Sequence, residues 1–354
     1  MTGMVELSGT MPVLEAHRFD EAGLAQWMTE NVPSFRGPMT VEQFKGGQSN
    51  PTYKLTVPGY TYVLRRKPAG QLLDSAHAIE REARIMEALG TVGFPVPQVY
   101  GLCADHTVIG TAFYVAECVA GRIFWDATLP SIDRSERPRY FDSMNETISR
   151  LHSTNYADIG LGDYGRTGSY FERQIHRLSR QYLSDVGAGR NADMDRIIEW
   201  LLRNVPADEA TTLVHGDYRV DNVVFHPTEP RVIAVLDWEL STLGHPLADF
   251  AYHLMMYRMP SLVSFTLLGA DLDSLNIPAE AEYIAGYCGR TGRSAIPQLD
   301  FYVTFSMFRV AAILHGIKGR IIRGTAASAR AHEIVAALPQ VAQLAWAQAQ
   351  RAHL

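Results

Sequence analysis

The 354-residue chain is poor in cysteine: Cys103, Cys118 and Cys288 are scattered, odd in number and without C-x-x-C spacing. That pattern offers neither a disulfide framework nor a thiolate zinc site, and it fits free thiols in a reducing, cytoplasmic setting. No dense run of lysine or arginine occurs, and 32 basic against 38 acidic residues leave a formal net charge of −6. Nucleic acid is therefore not an expected partner. Long apolar runs are missing too. The most apolar segment, Phe301 to Ile317, carries Arg309 and His315, so it falls short of a membrane span and reads as a core helix. A signal pattern is absent from the N-terminus, where Glu6, Glu15, His17 and Asp20 interrupt any apolar stretch. Internal repeats, a Walker A loop and G-x-G-x-x-G are all lacking. What remains is a soluble globular chain, long enough for two lobes.

The informative stretch is residues 213–239, LVHGDYRVDNVVFHPTEPRVIAVLDWE. Ionisable groups stand there at the ends of β-rich apolar runs, Thr212 to Val214, Val223 to Phe225 and Val232 to Leu236. A strand holds a side chain at its end more rigidly than a free loop does. Asn222 follows Asp217 by five residues, the spacing of the H-x-D-x-x-x-x-N catalytic loop, and Asp237 closes the next apolar strand. Phosphoryl transfer asks for such groups: a carboxylate to orient a hydroxyl and accept its proton, and oxygen ligands for magnesium.

On HGDYRVDN, on LDWE and on the GHPLADFAY that follows, the chain resembles the aminoglycoside phosphotransferase-like kinases, which share the protein-kinase fold. Within them it is most similar to kinase-type domains fused to, or encoded near, acyl-CoA dehydrogenases. The resemblance covers nearly the whole chain. It implies an α+β bilobal protein-kinase-like fold: residues 1–118 form a nucleotide-binding N-lobe, an antiparallel sheet with one key helix. Residues 119–354 form a mostly helical catalytic and acceptor-binding C-lobe. It also implies ATP with two Mg2+ ions, Asp217 as the base, Arg219 as the stabiliser of the phosphoryl in flight, and Asn222 and Asp237 as metal ligands. His215 supports the loop. Two departures matter. Asp237 is followed by Trp-Glu rather than Phe-Gly, and only a few residues separate it from GHPLAD. An activation loop has no room, which points to a small-molecule acceptor.

Upstream, Phe19 to Val32 has helical spacing with Asp20 as N-cap. Val41 to Leu55 reads as strand, glycine turn, strand. Gly46 and Gly47 followed by Ser49 and Asn50 let backbone N–H groups approach phosphate oxygens, while a plain Gly-Gly hairpin turn is the bland alternative. The resemblance, through a similar G-x-S-N, assigns Gly47, Ser49 and Asn50 to the nucleotide. The strand Tyr62 to Lys67 matches V-A-I-K in shape, with Arg65 at the place of the kinase lysine and Arg66 or Lys67 as alternatives. Ser75 to Leu89 is predicted as a helix ending at Gly90. Its period turns Glu82 inward, where pairing with Arg65 would reproduce the kinase Lys–Glu clamp. After the strand Phe113 to Glu117, backbone groups of Glu117 and Val119 are placed to meet the adenine.

The acceptor is read from Gly165 to Ser184. On a helix Arg173, Arg177 and Arg180 fall within about 60° of one another, with Tyr170 and Gln181 at the flank. The dehydrogenase-associated kinases show a similar Y-x-x-R-Q, matched by Tyr170, Arg173 and Gln174. A solvated or salt-bridged face is the competing reading. A basic pocket repels polycationic aminoglycosides and attracts a carboxylate or a coenzyme A phosphate. Arg309, Arg320 and Arg323 are assigned to the surface. The expectation is an ATP- and magnesium-dependent phosphotransferase acting on a hydroxyl of an anionic small molecule, a hydroxy acid or hydroxyacyl-CoA, with a functional link to an acyl-CoA dehydrogenase. The alternatives are an aminoglycoside or other small-metabolite kinase, and a nucleotide-binding scaffold without turnover.

Overall fold

A computed structural model describes residues 9–45, 50–68, 79–260, 266–325 and 331–352. Gly47 and Ser49, and the start of the helix expected from Ser75, lie outside the described residues. The chain divides into two compact units: residues 1–122 with 224–227 and 233–239, and residues 123–223 with 228–232 and 240–354.

In the first unit six strands form one antiparallel sheet: β1 (Thr10–Met11), β2 (Thr40–Phe44), β3 (Thr52–Val57), β4 (Tyr60–Arg66), β5 (Val99–Cys103) and β6 (Phe113–Glu117), in the order β1-β2-β3-β4-β6-β5. Alternation decides which face is which. Tyr53, Leu55 and Val57 of β3 and Tyr62, Leu64 and Arg66 of β4 are buried, and they pack with Leu24 and Met28 of helix α1 (Glu21–Asn31). Asp20 caps α1 as its sequence position predicts, accepting the N–H groups of Ala22 and Gly23 at 3.0 and 2.9 Å. The other face meets α2 (Ile79–Thr91). That helix runs through Gly90 instead of stopping there. A glycine weakens a helix without ending it, and the turn is made by Gly93 at φ +66°, with Phe94 N–H closing on Leu89 O at 3.1 Å. A one-turn α3 (His106–Ile109) leads into β6.

The second unit is mostly helical. Helix α4 (Arg137–Ser153) begins three residues later than its periodicity predicts, because Asp133 accepts the Ser135 N–H in a turn and Pro138 sits in the first helical turn. Its buried face carries Phe141, Met144, Ile148 and Leu151, as expected. Then come α5 (Tyr170–Ser184), α6 (Ala192–Arg203), β7 (Thr212–Val214), β8 (Val223–Phe225), β9 (Val232–Val235), β10 (Thr242–Gly244) and α7 (Pro246–Leu254). The short α8 (Leu272–Leu275), α9 (Glu280–Thr291), α10 (Leu299–Ile322), α11 (Ala331–Val335) and α12 (Leu338–Arg351) complete the chain. Helix α10, the segment read as a core helix, is the spine against which α5, α6, α7 and α12 pack. No helix among the described residues is long and apolar enough to cross a membrane.

The hairpin β8–β9 counts largely with the first unit. Arg122 and Phe225 exchange two backbone hydrogen bonds of 2.8 Å, and a Cβ on Gly121 would lie 2.4 Å from Phe225 O. This close approach draws the hairpin onto residues 121–122, so the first unit extends past the expected boundary at residue 118.

Candidate active site

Strand β7 pairs antiparallel with β10 and is buried along its length, which fixes the backbone leaving Val214. His215 and Gly216 then turn their N–H groups onto one carboxylate, Asp249 of α7, at 2.7 and 2.8 Å. His152 Nε2 stands 3.2 Å from the same group, and its Nδ1 meets the Tyr287 hydroxyl at 2.7 Å. Asp249 is 4 % exposed. Burial by itself raises its carboxyl, but the hydrogen bond and charge of His152 and the N–H of His215 outweigh that and hold it below the usual range. Asp249 thus braces the loop. Capping of α7 falls to His245, whose Nδ1 accepts the Leu247 N–H. Gly216 has φ +84°, and a Cβ there would lie 2.7 Å from Leu240 O, so this position requires glycine.

Asp217 follows, half-buried and surrounded by donors. Tyr252 O–H donates to Oδ1 at 2.7 Å, and Asn222 Nδ2 donates to Oδ2 at 3.2 Å and to the Asp217 carbonyl at 2.9 Å. Arg219 Nε lies 3.2 Å from Oδ1, and its Nη2 lies 3.3 Å from Asp221. His215 Nδ1 accepts the Asp217 N–H at 3.1 Å. Burial, then the charge of Asp217, push the Tyr252 phenol well above its ordinary range, so it remains a donor. Asn222 spends its NH2 on Asp217. Its side-chain oxygen, the atom a metal would use, makes no hydrogen bond among the described residues.

The first unit holds a second constellation. Arg65 stands opposite Tyr114 in the β4–β6 ladder, on the face of the sheet away from α1. Its Nε is 3.0 Å from Glu82, and its Nη2 donates to Asp237 at 2.8 Å and to Glu239 at 3.2 Å. The inward glutamate of α2 thus meets Arg65. The Nε contact is off the hydrogen-bond direction and counts as an ion pair. Burial lowers the tendency of Arg65 to stay charged, and the three carboxylates outweigh it, leaving its pKa raised. Glu82 is 1 % exposed and has the reverse problem. Burial, with the nearby Asp237 and Glu239, pushes its carboxyl up to about 7 in spite of Arg65 and the Tyr114 hydroxyl. Asp237 itself sits at φ +64°, a conformation costly for a residue with a side chain. The turn is pinned by Trp238, whose Nε1–H donates to Val235 O at 2.9 Å and whose ring packs edge-on against Phe94.

Several expected site residues are placed differently. Asn50, read as phosphate-facing, is fully buried and donates to Glu82 at 3.1 Å. Arg66 turns to the α1 face by strand alternation, donating to Tyr53 Oη at 3.2 Å and His17 O at 3.1 Å. Lys67 pairs with Glu80 at 2.5 Å. Glu117 commits its N–H to Gln98 O at 2.8 Å, and half-buried Val119 follows. The arginine stripe does not act as one unit. Arg173 donates to the carbonyls of Arg166 and Thr167, fastening the loop before α5, while Arg177 donates to Gln174 and Arg180 is exposed. Beside Arg177 the half-buried Tyr170 has its phenol pushed up by burial, against the nearby Arg309.

Tyr252 and Glu239 carried no role in the sequence reading, although both lie in motifs it singled out. For Tyr252 a signal existed: it stands three residues after Asp249, on the same helix face. As to metal, no cluster of three or more His, Cys, Asp or Glu side chains among the described residues could hold an ion by itself. The oxygens of Asn222, Asp237 and Glu239 are hard donors of the type magnesium takes when substrate phosphates complete its shell. The residues fit the ion on those terms.

With this geometry in hand, comparison with known proteins is informative. Residues 40–302 match the family profile described as "Phosphotransferase enzyme family". The chain is 45% identical over 314 residues to acyl-CoA dehydrogenase family member 10 of Mus musculus, covering 88% of this chain and 29% of that protein. It is 40% identical over 333 residues to family member 11 of Homo sapiens, covering 92% and 42%. It therefore spans less than half the length of these curated relatives. A crystal structure of a candidate aminoglycoside phosphotransferase from Ralstonia eutropha JMP134 superimposes with a TM-score of 0.86 at 47% identity, covering 94% of this chain and 99% of that one. The fold is also that of aminoglycoside phosphotransferase APH(4)-Ia in ternary complex with ADP and hygromycin B, at a TM-score of 0.60, 14% identity, and 92% and 98% coverage.

Proposed function

The chain belongs to the phosphotransferase enzyme family, and on that premise we propose that it transfers the γ-phosphoryl group of ATP to a hydroxyl of a small anionic acceptor, a hydroxy acid or a hydroxyacyl-CoA. One observation carries the chemistry: Asp217 is held by Tyr252 and Asn222 on a loop locked to Asp249, and Asn222 keeps its side-chain oxygen uncommitted. In this reading Asp217 orients the acceptor hydroxyl and takes its proton as the new O–P bond forms and the bond from the γ-phosphorus to the β,γ-bridging oxygen breaks. ADP leaves with that oxygen. Arg219, already against Asp217 and Asp221, offsets charge on the transferring oxygens. Asn222, Asp237 and Glu239 would hold magnesium, which when bound neutralises phosphate charge. Arg65, kept charged and oriented by Glu82, serves the phosphates; its fork suits them as well as a lysine does.

The complex of the APH(4)-Ia fold with ADP and hygromycin B supports a nucleotide donor. The dehydrogenase names of the relatives support an acyl-type acceptor and a link to a dehydrogenase. On this reading residues 1–118 bind nucleotide and residues 119–354 bind acceptor. Acceptor-dependent ADP release tests it. Asp217→Asn is expected to lower turnover at least about a hundredfold, the scale of a lost general base, with MgATP binding retained in calorimetry. Near-wild-type turnover by that variant would sink the assignment. A protein that binds MgATP and never turns over would be a scaffold.

A further inference from the structure

We propose that Arg309 is the specificity-determining residue of the acceptor site, reading an oxyanion on the acceptor, and that Tyr252 is the positioning residue that ties this recognition to Asp217. The inference rests on the phosphotransferase reading above and names the ligand class and the side chains that select it.

Helices α7 and α10 pack together, and at their contact the Arg309 guanidinium lies over the Tyr252 ring, 5.0 Å from its centroid. The hydroxyl of that same ring donates to Asp217 at 2.7 Å. One tyrosine therefore carries a cation on its face and the base at its tip. Arg309 is half-buried, and among the described residues no carboxylate stands within ion-pair distance of it. Other arginines of this unit are treated differently. Arg258 holds Glu280, Arg290 holds Asp142 and Arg323 holds Asp185. A cation–π contact contributes only about 0.5–2 kcal/mol and uses the flat face of the guanidinium. The N–H donors around its edge, five in number in any arginine, are left for something else.

A second guanidinium strengthens the point. Arg177 lies on α5, which also packs on α10, and its printed partner is Gln174 of its own helix, at 2.8 and 3.1 Å. Burial and the charge of Arg309 both make Arg177 hold its proton less firmly than usual. Like charges do not gather in a half-buried place without a counter-ion unless a ligand supplies it. An oxyanion bound there would use the planar fork, and the same molecule's hydroxyl would reach Asp217 beside Tyr252. The anion has two possible sources, the carboxylate of a free hydroxy acid or a phosphate of a CoA thioester.

The test uses the full chain, MgATP and two matched pairs of acceptors: straight-chain hydroxy acids beside their neutral methyl amides, and hydroxyacyl-CoA beside the corresponding hydroxyacyl-pantetheine. The hydroxyl is moved carbon by carbon along the chain. Wild-type protein should favour the charged member of whichever pair turns over, by about ten- to a hundredfold in kcat/KM, the scale of a charge-assisted hydrogen bond. Arg309→Gln should erase that ratio through KM, and Arg309→Lys should restore part of it. Tyr252→Phe should lower kcat for charged and neutral acceptors alike while leaving the ratio in place. Thermal midpoints of the variants separate these effects from misfolding. The pair that responds identifies the source of the anion. An unaltered charge preference in Arg309→Gln overturns the role of Arg309 alone. Wild-type protein that phosphorylates none of the four acceptors overturns the phosphotransferase reading itself.

Discussion

Two buried carboxylates, one in each unit, have opposite fates. Asp249 is encircled by donors: two backbone N–H groups and His152. Its carboxyl is held below the usual range although it is fully enclosed. Glu82 has donors too, from Asn50, Tyr114 and Arg65. Yet it shares Arg65 with Asp237 and Glu239, and its carboxyl is pushed up to about 7. Three carboxylates around one guanidinium leave an excess of negative charge, whereas Asp249 leaves none. A group satisfied by the fold stabilises the fold. One left short of positive charge is suited to a visiting cation.

The largest expected effect tests the first half of that contrast. Asp249→Asn places an amide NH2 or a weaker acceptor against N–H groups that need a carboxylate. It should cost about 3–5 kcal/mol, the scale for breaking a buried charged network, read by denaturant unfolding. A loss below about 1 kcal/mol would show that the brace is dispensable.

Next comes a pH experiment on Glu82. Its folded pKa lies above its unfolded value, so its contribution to stability is fully present below about pH 4.5 and is lost as pH rises toward 7. The fall is on the order of 3 kcal/mol for a shift of this size. His245 and His253, lowered from 6.5 to about 4 chiefly by burial, run the other way and lose stability as pH falls through that window. The difference between wild type and Glu82→Gln isolates the carboxylate: the variant should gain relative stability between pH 4.5 and 7. A flat difference curve contradicts the raised carboxyl. Asp249 plays no part in that window, because its lowered pKa makes it lose stability only below its ordinary value.

The smallest effect sharpens the acceptor assignment. Arg180 is exposed, so Arg180→Ala should change stability by less than about 0.5 kcal/mol and leave the KM of acceptors unmoved. A rise in KM comparable with that of Arg309→Gln would return the stripe of α5 to the acceptor.

What could be read from the residues alone was what is local. The five-residue interval from Asp217 to Asn222, the Asp20 cap and the inward phase of Glu82 depend on spacing within one element. The family fold followed because such signals stand in the right order. What escaped depends on which elements pack. Tyr252 reaches Asp217 from α7, and Arg309 meets Tyr252 only because α10 lies against α7. Asn50 looked like a phosphate ligand because a polar residue after glycines is normally exposed; here Glu82 needs a buried donor. Arg173 joined the stripe by helical angle, but loop carbonyls in the turn before α5 claim its donors. No periodicity records such a competitor.

The reciprocal bonds between Arg122 and Phe225 bear on how this protein can be inherited and engineered. The first unit is assembled from three separate stretches of chain, so no single cut in the gene yields it whole. A fragment ending at residue 118 or 122 lacks the hairpin and the Asp237 turn that complete it, and such a fragment should be insoluble or unfolded when expressed alone. Nucleotide and acceptor halves of this kind are not shuffled as modules. They pass together or not at all.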